Sequence, residues 1–137
     1  MAKQKPSKAD VIIPPNHPNP PEPHEIDTAW VLARHFNCIV SFVIPVNDYA
    51  RPSLDILMQG VLHEMKSPTG KSLSHTVKAQ FDRATSQHAA VLVLDGRRTK
   101  LTDEHIISKI KNELEHRRRI KRVIFITKSE SVLEFEK

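Results

Sequence analysis

The stretch that most constrains the fold spans residues 53–66, where two short apolar runs flank Gln59-Gly60 and read as a β-hairpin turning at that pair. Side chains two apart along a strand point to the same side, so the second run sets Glu64 and Lys66 next to each other on one face. Asp55 lies on the partner strand and reaches that face if the hairpin register brings it there. A core hairpin with these three charges needs a reason for holding them.

The rest of the chain alternates between helical and strand periods. Ile26, Ala29, Trp30 and Ala33 recur on one face of a helix that starts near Glu25 and ends at Asn37, and residues 39–44 form a short β-branched run suited to a buried strand. A loop over residues 45–52 leads into the hairpin, and the polar residues 67–72 follow it. Leu73, Val77, Phe81 and Ala84 mark a second helix, and residues 89–94 a continuous apolar strand that stops at Asp95-Gly96. Thr102 caps a third helix with Ile106, Ile107, Ile110 and Leu114 as its stripe. Residues 123–126 form a core strand and residues 132–135 a short edge strand. Helical crossovers join parallel strands, so the expected class is α/β: a mixed β-sheet with an N-terminal helix, a β-hairpin and helical crossovers packed on the sheet.

With 137 residues there is room for one well-buried domain, expected over residues 24–137. Most of the ten prolines crowd before Glu25, which predicts an extended, flexible arm over residues 1–23. The single cysteine, Cys38, rules out an intrachain disulfide and multi-cysteine metal sites and fits a reducing compartment. No apolar run approaches the roughly 18 residues of a membrane span, and no signal-peptide core follows the basic start, so the expected location is cytoplasmic. Delivery as part of a larger protein is compatible with this. A net charge of +5 favours an anionic partner.

Asp55, Glu64 and Lys66 together suit phosphodiester hydrolysis. The two carboxylates, with a backbone carbonyl such as that of Met65, offer oxygen ligands to a divalent metal, Mg or Zn, and Lys66 can orient or deprotonate a water. The plain alternative is a surface ion pair of little energetic weight. A metal-free mechanism needs a base, an acid and a cation near the phosphate, which His75, Glu64, Lys66 and Ser72 could supply. His63 faces away from Glu64 by alternation. The remaining histidines, in tails or on helix surfaces, read as solvated. Lys71, Ser72, Lys78 and Arg83 on the segment after the hairpin, and Arg97, Arg98 and Lys100 after Asp95, lie where phosphates could be neutralised. The Arg117-Arg118-Arg119 run sits at a helix C-terminus, where cations are favoured in any case. Tyr49 is the one free stacking candidate.

The order of helix, strand, Asp-bearing hairpin, Glu-x-Lys, helix and strand resembles the restriction-endonuclease-like αβββαβ core of the PD-(D/E)XK nucleases. Asp55, Glu64 and Lys66 stand at the motif positions, and Glu25 matches the acidic residue many of them carry on the first helix. A closer likeness lies in Asp-x-Leu-x-x-Gly-x-x-x-Glu-x-Lys, then Lys71-Ser72 before a helix, then Gln87 before a strand ending in Asp95. This pattern is similar to the C-terminal tRNase domains of contact-dependent growth inhibition toxins and related phage and mobile-element domains. It departs from the family at Pro52, three positions ahead of Asp55 rather than directly before it. The resemblance implies an endonuclease cleaving RNA, in particular tRNA, in a toxin-like role, with an acidic immunity protein as a second partner. The alternative is a non-catalytic nucleic-acid- or partner-binding module on the same fold.

Overall fold

The structure is a computed structural model that describes residues 7–44 and 54–137. Its elements run β1 (Asp10–Ile12), α1 (Pro23–Phe36), β2 (Ile39–Phe42), β3 (Ile56–Met58), β4 (Val61–Lys66), α2 (Thr76–Ser86), β5 (Val91–Asp95), α3 (Asp103–His116), β6 (Arg122–Ile126) and β7 (Val132–Glu136). The seven strands form one mixed sheet in sequence order. β4, β5 and β6 are parallel, β3 lies antiparallel between β2 and β4, and β7 runs antiparallel to β6. This is the expected α/β class, and the stretch from α1 to β5 has the order αβββαβ.

Alternation along the strands divides the core into two layers. Met65, Val91, Val93, Ile124 and Ile126 pack with Ala29, Leu32 and Ala33 of α1. Leu92, Leu94, Val123 and Phe125 face the other way, onto Val77 and Phe81 of α2 and Ile106 and Ile110 of α3. β5 is buried along its whole length because helices cover both of its faces.

Local chemistry sets the boundaries. Pro23 opens α1, where its missing N–H costs nothing, and Asn37 closes the helix in the left-handed region at φ 49°. The hairpin turns at Gln59 and Gly60, both at positive φ (52° and 76°), the backbone of a two-residue turn whose twist matches its strands. The pairs Ile56 with His63 and Met58 with Val61 fix the register. Thr102 caps α3 by accepting the N–H of His105.

Three expectations change. The segment read as a flexible arm contributes β1, which pairs in parallel with β2 and carries Val11 onto the α1 core. The β-branched run preceding the prolines covers an edge of β2 that would otherwise leave backbone groups unpaired. Leu73 lies outside α2 and is 63% exposed, because residues 72–76 form a turn in which the Ser72 hydroxyl accepts the His75 N–H at 3.2 Å. The expected strand at residues 89–94 begins at Val91 and runs through Asp95. Tyr49 and Pro52 fall outside the described residues.

Candidate active site

Charge enters the sheet at the carboxyl ends of β4 and β5, the edge at which open α/β sheets place their sites. Asp55 immediately precedes β3. Its N–H donates to His63 O (3.1 Å) and its carbonyl accepts from Val43 N (3.0 Å), so its backbone is held between β2 and β4. Its Oδ2 accepts the Met65 N–H at 2.8 Å. That bond draws the carboxylate across the hairpin onto β4, where it meets the carboxyl of Glu64 in hydrogen-bond contact.

Glu64 is 2% exposed. It pairs in register with Leu92 and Lys66 with Leu94, so both side chains stand on the sheet face that α2 and α3 cover. Lys66 Nζ lies 3.7 Å from Glu64 Oε1. Burial, followed by the hydrogen bond and negative charge of Asp55, raises the Glu64 pKa to about 8, and the attraction of Lys66 and the Met65 N–H only partly offsets this. A buried carboxyl beside a second acidic group resists ionising, and the Lys66 counter-charge relieves this only in part. With its pKa raised to about 8, Glu64 holds a proton at neutral pH, and a divalent cation is the other species that could take its place. The oxygen-only donor set suits a hard ion completed by water. Among the described residues no group of three or more His, Cys, Asp or Glu side chains gathers to hold a metal, so the side-chain ligands would be Asp55 and Glu64.

A cavity adjoins the trio on each side. One, of about 320 Å³, is lined by Asp55 and Glu25 together with Glu22 and His17. Glu25 thus shares a space with Asp55, but its Oε1 also accepts the Glu22 N–H at 2.9 Å and so caps α1. The other, of about 420 Å³, is lined by Lys66, Arg83 and Arg98.

The other expected residues separate. His75 precedes α2 and lines neither cavity, and its backbone N–H bonds to Ser72. Lys71 and Ser72 are likewise outside both. Lys78 is exposed and paired with Asp82 at 3.2 Å. Arg97 departs from the expectation of a phosphate contact. It is shared among Asp95 (2.8 Å), Asp27 (2.7 Å) and Glu130 (2.8 Å), tying β5, α1 and the turn before β7 together. Its partner Asp95 is 2% exposed and also takes the Thr28 hydroxyl at 2.6 Å. Burial pushes the Asp95 carboxyl up, but the bonds from Arg97 and Thr28 outweigh it and hold the pKa below the usual range. A buried carboxylate needs a paired cation, and the nearest arginine supplies it.

Some residues of the site escaped the sequence reading. Thr76 and Gln80, buried at 7% and 5%, line the cationic cavity. Their signal was present: both are polar residues among Val77, Phe81 and Ala84 of α2. His17, expected to be solvated, instead bonds through its Nε2 to Val43 O at 3.1 Å in the wall beside Asp55.

The fold and site define a small α/β domain with a buried glutamate, a half-buried aspartate beside it and a lysine at the carboxyl edge of a mixed sheet. A sequence model of the contact-dependent growth inhibition CdiA C-terminal domain matches residues 52–132, more than half of the chain, and the chain belongs to this family. A similar solved structure is the CdiA-CT/CdiI toxin and immunity complex from Burkholderia pseudomallei, with a TM-score of 0.67 and 16% identity over 83% of each chain. At that identity the likeness shows a shared fold alone. No curated protein matches the chain. No helix among the described residues is long and apolar enough to cross a membrane.

Proposed function

We propose that the chain is a toxin domain with endoribonuclease activity, acting on tRNA, and that Asp55, Glu64 and Lys66 are its catalytic group. The observation that carries this reading is the buried Glu64 carboxyl beside the half-buried Asp55, with Lys66 at 3.7 Å from Glu64 and a cavity rimmed by cations alongside. The αβββαβ order supports a PD-(D/E)XK-like assignment of the three roles. Asp55 and Glu64 would hold a divalent ion, Mg better than Zn because both donors are carboxylate oxygens, and the ion would supply Lewis-acid stabilisation of the developing charge on phosphate. Lys66 orients the attacking water, and its ammonium lies on the cationic side where phosphate is favoured. Glu25, which lines the other cavity together with Asp55, would serve as a positioning group for water. His75 falls outside this group, and the metal-free route that would use it lacks a structural partner for it among the described residues.

Membership of the CdiA C-terminal family, and the immunity protein in the complex of the similar structure, support delivery into a target cell as part of a larger protein and neutralisation by an immunity protein, one with an acidic face. Incubating the purified domain with a tRNA pool tests the reading. Cleavage is expected with Mg2+ and is lost in EDTA. Cleavage that persists unchanged in EDTA would remove the metal from the account, and binding without any cleavage would leave a non-catalytic module.

A further inference from the structure

The cationic cavity has more structure than a basic patch. It lies between the loop leaving β4 (Ser67, Gly70), the first half of α2 (Thr76, Gln80, Arg83) and Arg98 after β5. Of its lining residues three are cations and none is a carboxylate. Neither Arg83 nor Arg98 takes part in an ion pair among the described residues, in contrast to Arg97 with its three carboxylates. A cavity of about 420 Å³ falls in the range of small-molecule sites, roughly 300 to 1,000 Å³.

Its walls are held in place. Arg98 donates to Ser67 O at 3.2 Å, and the Thr99 hydroxyl donates to Gly70 O. Lys128 reaches from the far side of β6 to the carbonyls of Gly96 and Thr99 and so fixes the loop that carries Arg98. A Cβ on residue 70 would stand 2.7 Å from Thr76 Oγ1, so only glycine lets the loop pack this closely on α2. Gln80 Nε2 donates to Thr76 O at 3.0 Å and keeps the polar floor rigid. The Ser67 hydroxyl is buried and has no hydrogen-bond partner among the described residues, leaving a donor for an incoming acceptor.

We propose that this cavity is a subsite for one nucleotide phosphate next to the scissile bond, with Arg83 and Arg98 as its anion-binding pair and Ser67 as a neutral donor. The proposal rests on the nuclease reading for the word scissile, but the cavity's preference for a phosphate group does not. Lys66 lines the same cavity and contacts Glu64, so an occupant would lie directly beside the candidate catalytic group. A substrate with a second phosphate adjoining the cleaved one should therefore be preferred over a dinucleoside monophosphate.

The test uses the full chain, with uridine 5′-monophosphate and inorganic phosphate as separate probes in calorimetric titrations, and with tRNA cleavage measured in parallel. The variant Arg83→Ala/Arg98→Ala is compared with Lys111→Ala/Arg118→Ala, which removes the same charge elsewhere, and both are checked for an unchanged melting midpoint. The subsite predicts that uridine monophosphate binding weakens about tenfold or more in the first variant only, the scale of a lost charge-assisted hydrogen bond. Phosphate alone should bind the same place more weakly. Equal weakening in both variants, or none in either, overturns the subsite and reduces the cavity to general basic charge. If the first variant melts early, Arg98→Lys, which keeps the charge, and Ser67→Ala take its place under the same criterion. The two readings fail separately. Monophosphate binding that depends on Arg83 and Arg98 without tRNA cleavage retires the nuclease and keeps the subsite, whereas cleavage with an unchanged KM in the variant does the reverse.

Discussion

Glu64 and Asp95 are both buried carboxylates at the same edge of the sheet, and opposite environments give them opposite tasks. Asp95 has a full set of partners in Arg97, Thr28 and its own loop, so it stays ionised and structural. Its depressed pKa means that its stabilising contribution is present above the unfolded value near 4 and is lost as pH falls through the folded one. Arg97→Ala leaves that charge buried and unpaired, and should cost on the order of 3 kcal/mol or more in urea unfolding at pH 7. Glu64 behaves in the other sense. Its folded pKa, about 8, lies above the ordinary 4.5, so between those values the folded chain keeps a proton that the unfolded chain releases. Stability in EDTA should therefore decline as pH rises from 5 to 8, by at most about 1.4 kcal/mol per pH unit, and Glu64→Gln should abolish the decline. Added Mg2+ should flatten it in the wild type. Parallel urea midpoints for the two proteins across that range would contradict the raised pKa.

Elements inherit their limits from a few residues that the sequence shows openly. The helical stripes, the Thr102 cap and the hairpin turn were legible because each depends on local chemistry: Thr102→Ala should cost about 1 kcal/mol, and Gly60→Ala, at φ 76°, a similar amount, both measurable by chemical denaturation. The common face of Glu64 and Lys66 was legible for the same reason, since it needs only a strand. What was hidden depends on contacts between distant segments. Nothing near Arg97 in the sequence says that Asp27 and Glu130 will converge on it, so the sequence offers it as a phosphate contact. Asp10–Ile12 is too short to announce itself as a strand and gains its place only from the open edge of β2. The contact between Asp55 and Glu64 likewise waits on the Met65 N–H, a tertiary bond across the hairpin.

At the scale of the molecule, one sheet separates a mainly apolar layer under α1 from a layer under α2 and α3 that also carries the catalytic candidates, and both layers meet at the carboxyl edge. The N-terminal segment belongs to this body: it supplies β1 to the edge and His17 to the wall beside Asp55. Val11→Asp should accordingly lower stability by about 1 kcal/mol or more, where a detached arm would leave it unchanged. Charge is arranged across the same edge, carboxylates on one side of Glu64 and cations on the other, which is the polarity a metal and a phosphate would require of a shared site. The most direct test is the first-order rate of tRNA cleavage by the wild type and by Glu64→Gln at pH 7 with Mg2+, after matching circular dichroism spectra. The account predicts a fall of about a thousandfold or more, because the substitution removes a group that acts on the reacting phosphate. A rate within about threefold of the wild type would contradict it and return Asp55, Glu64 and Lys66 to a structural role.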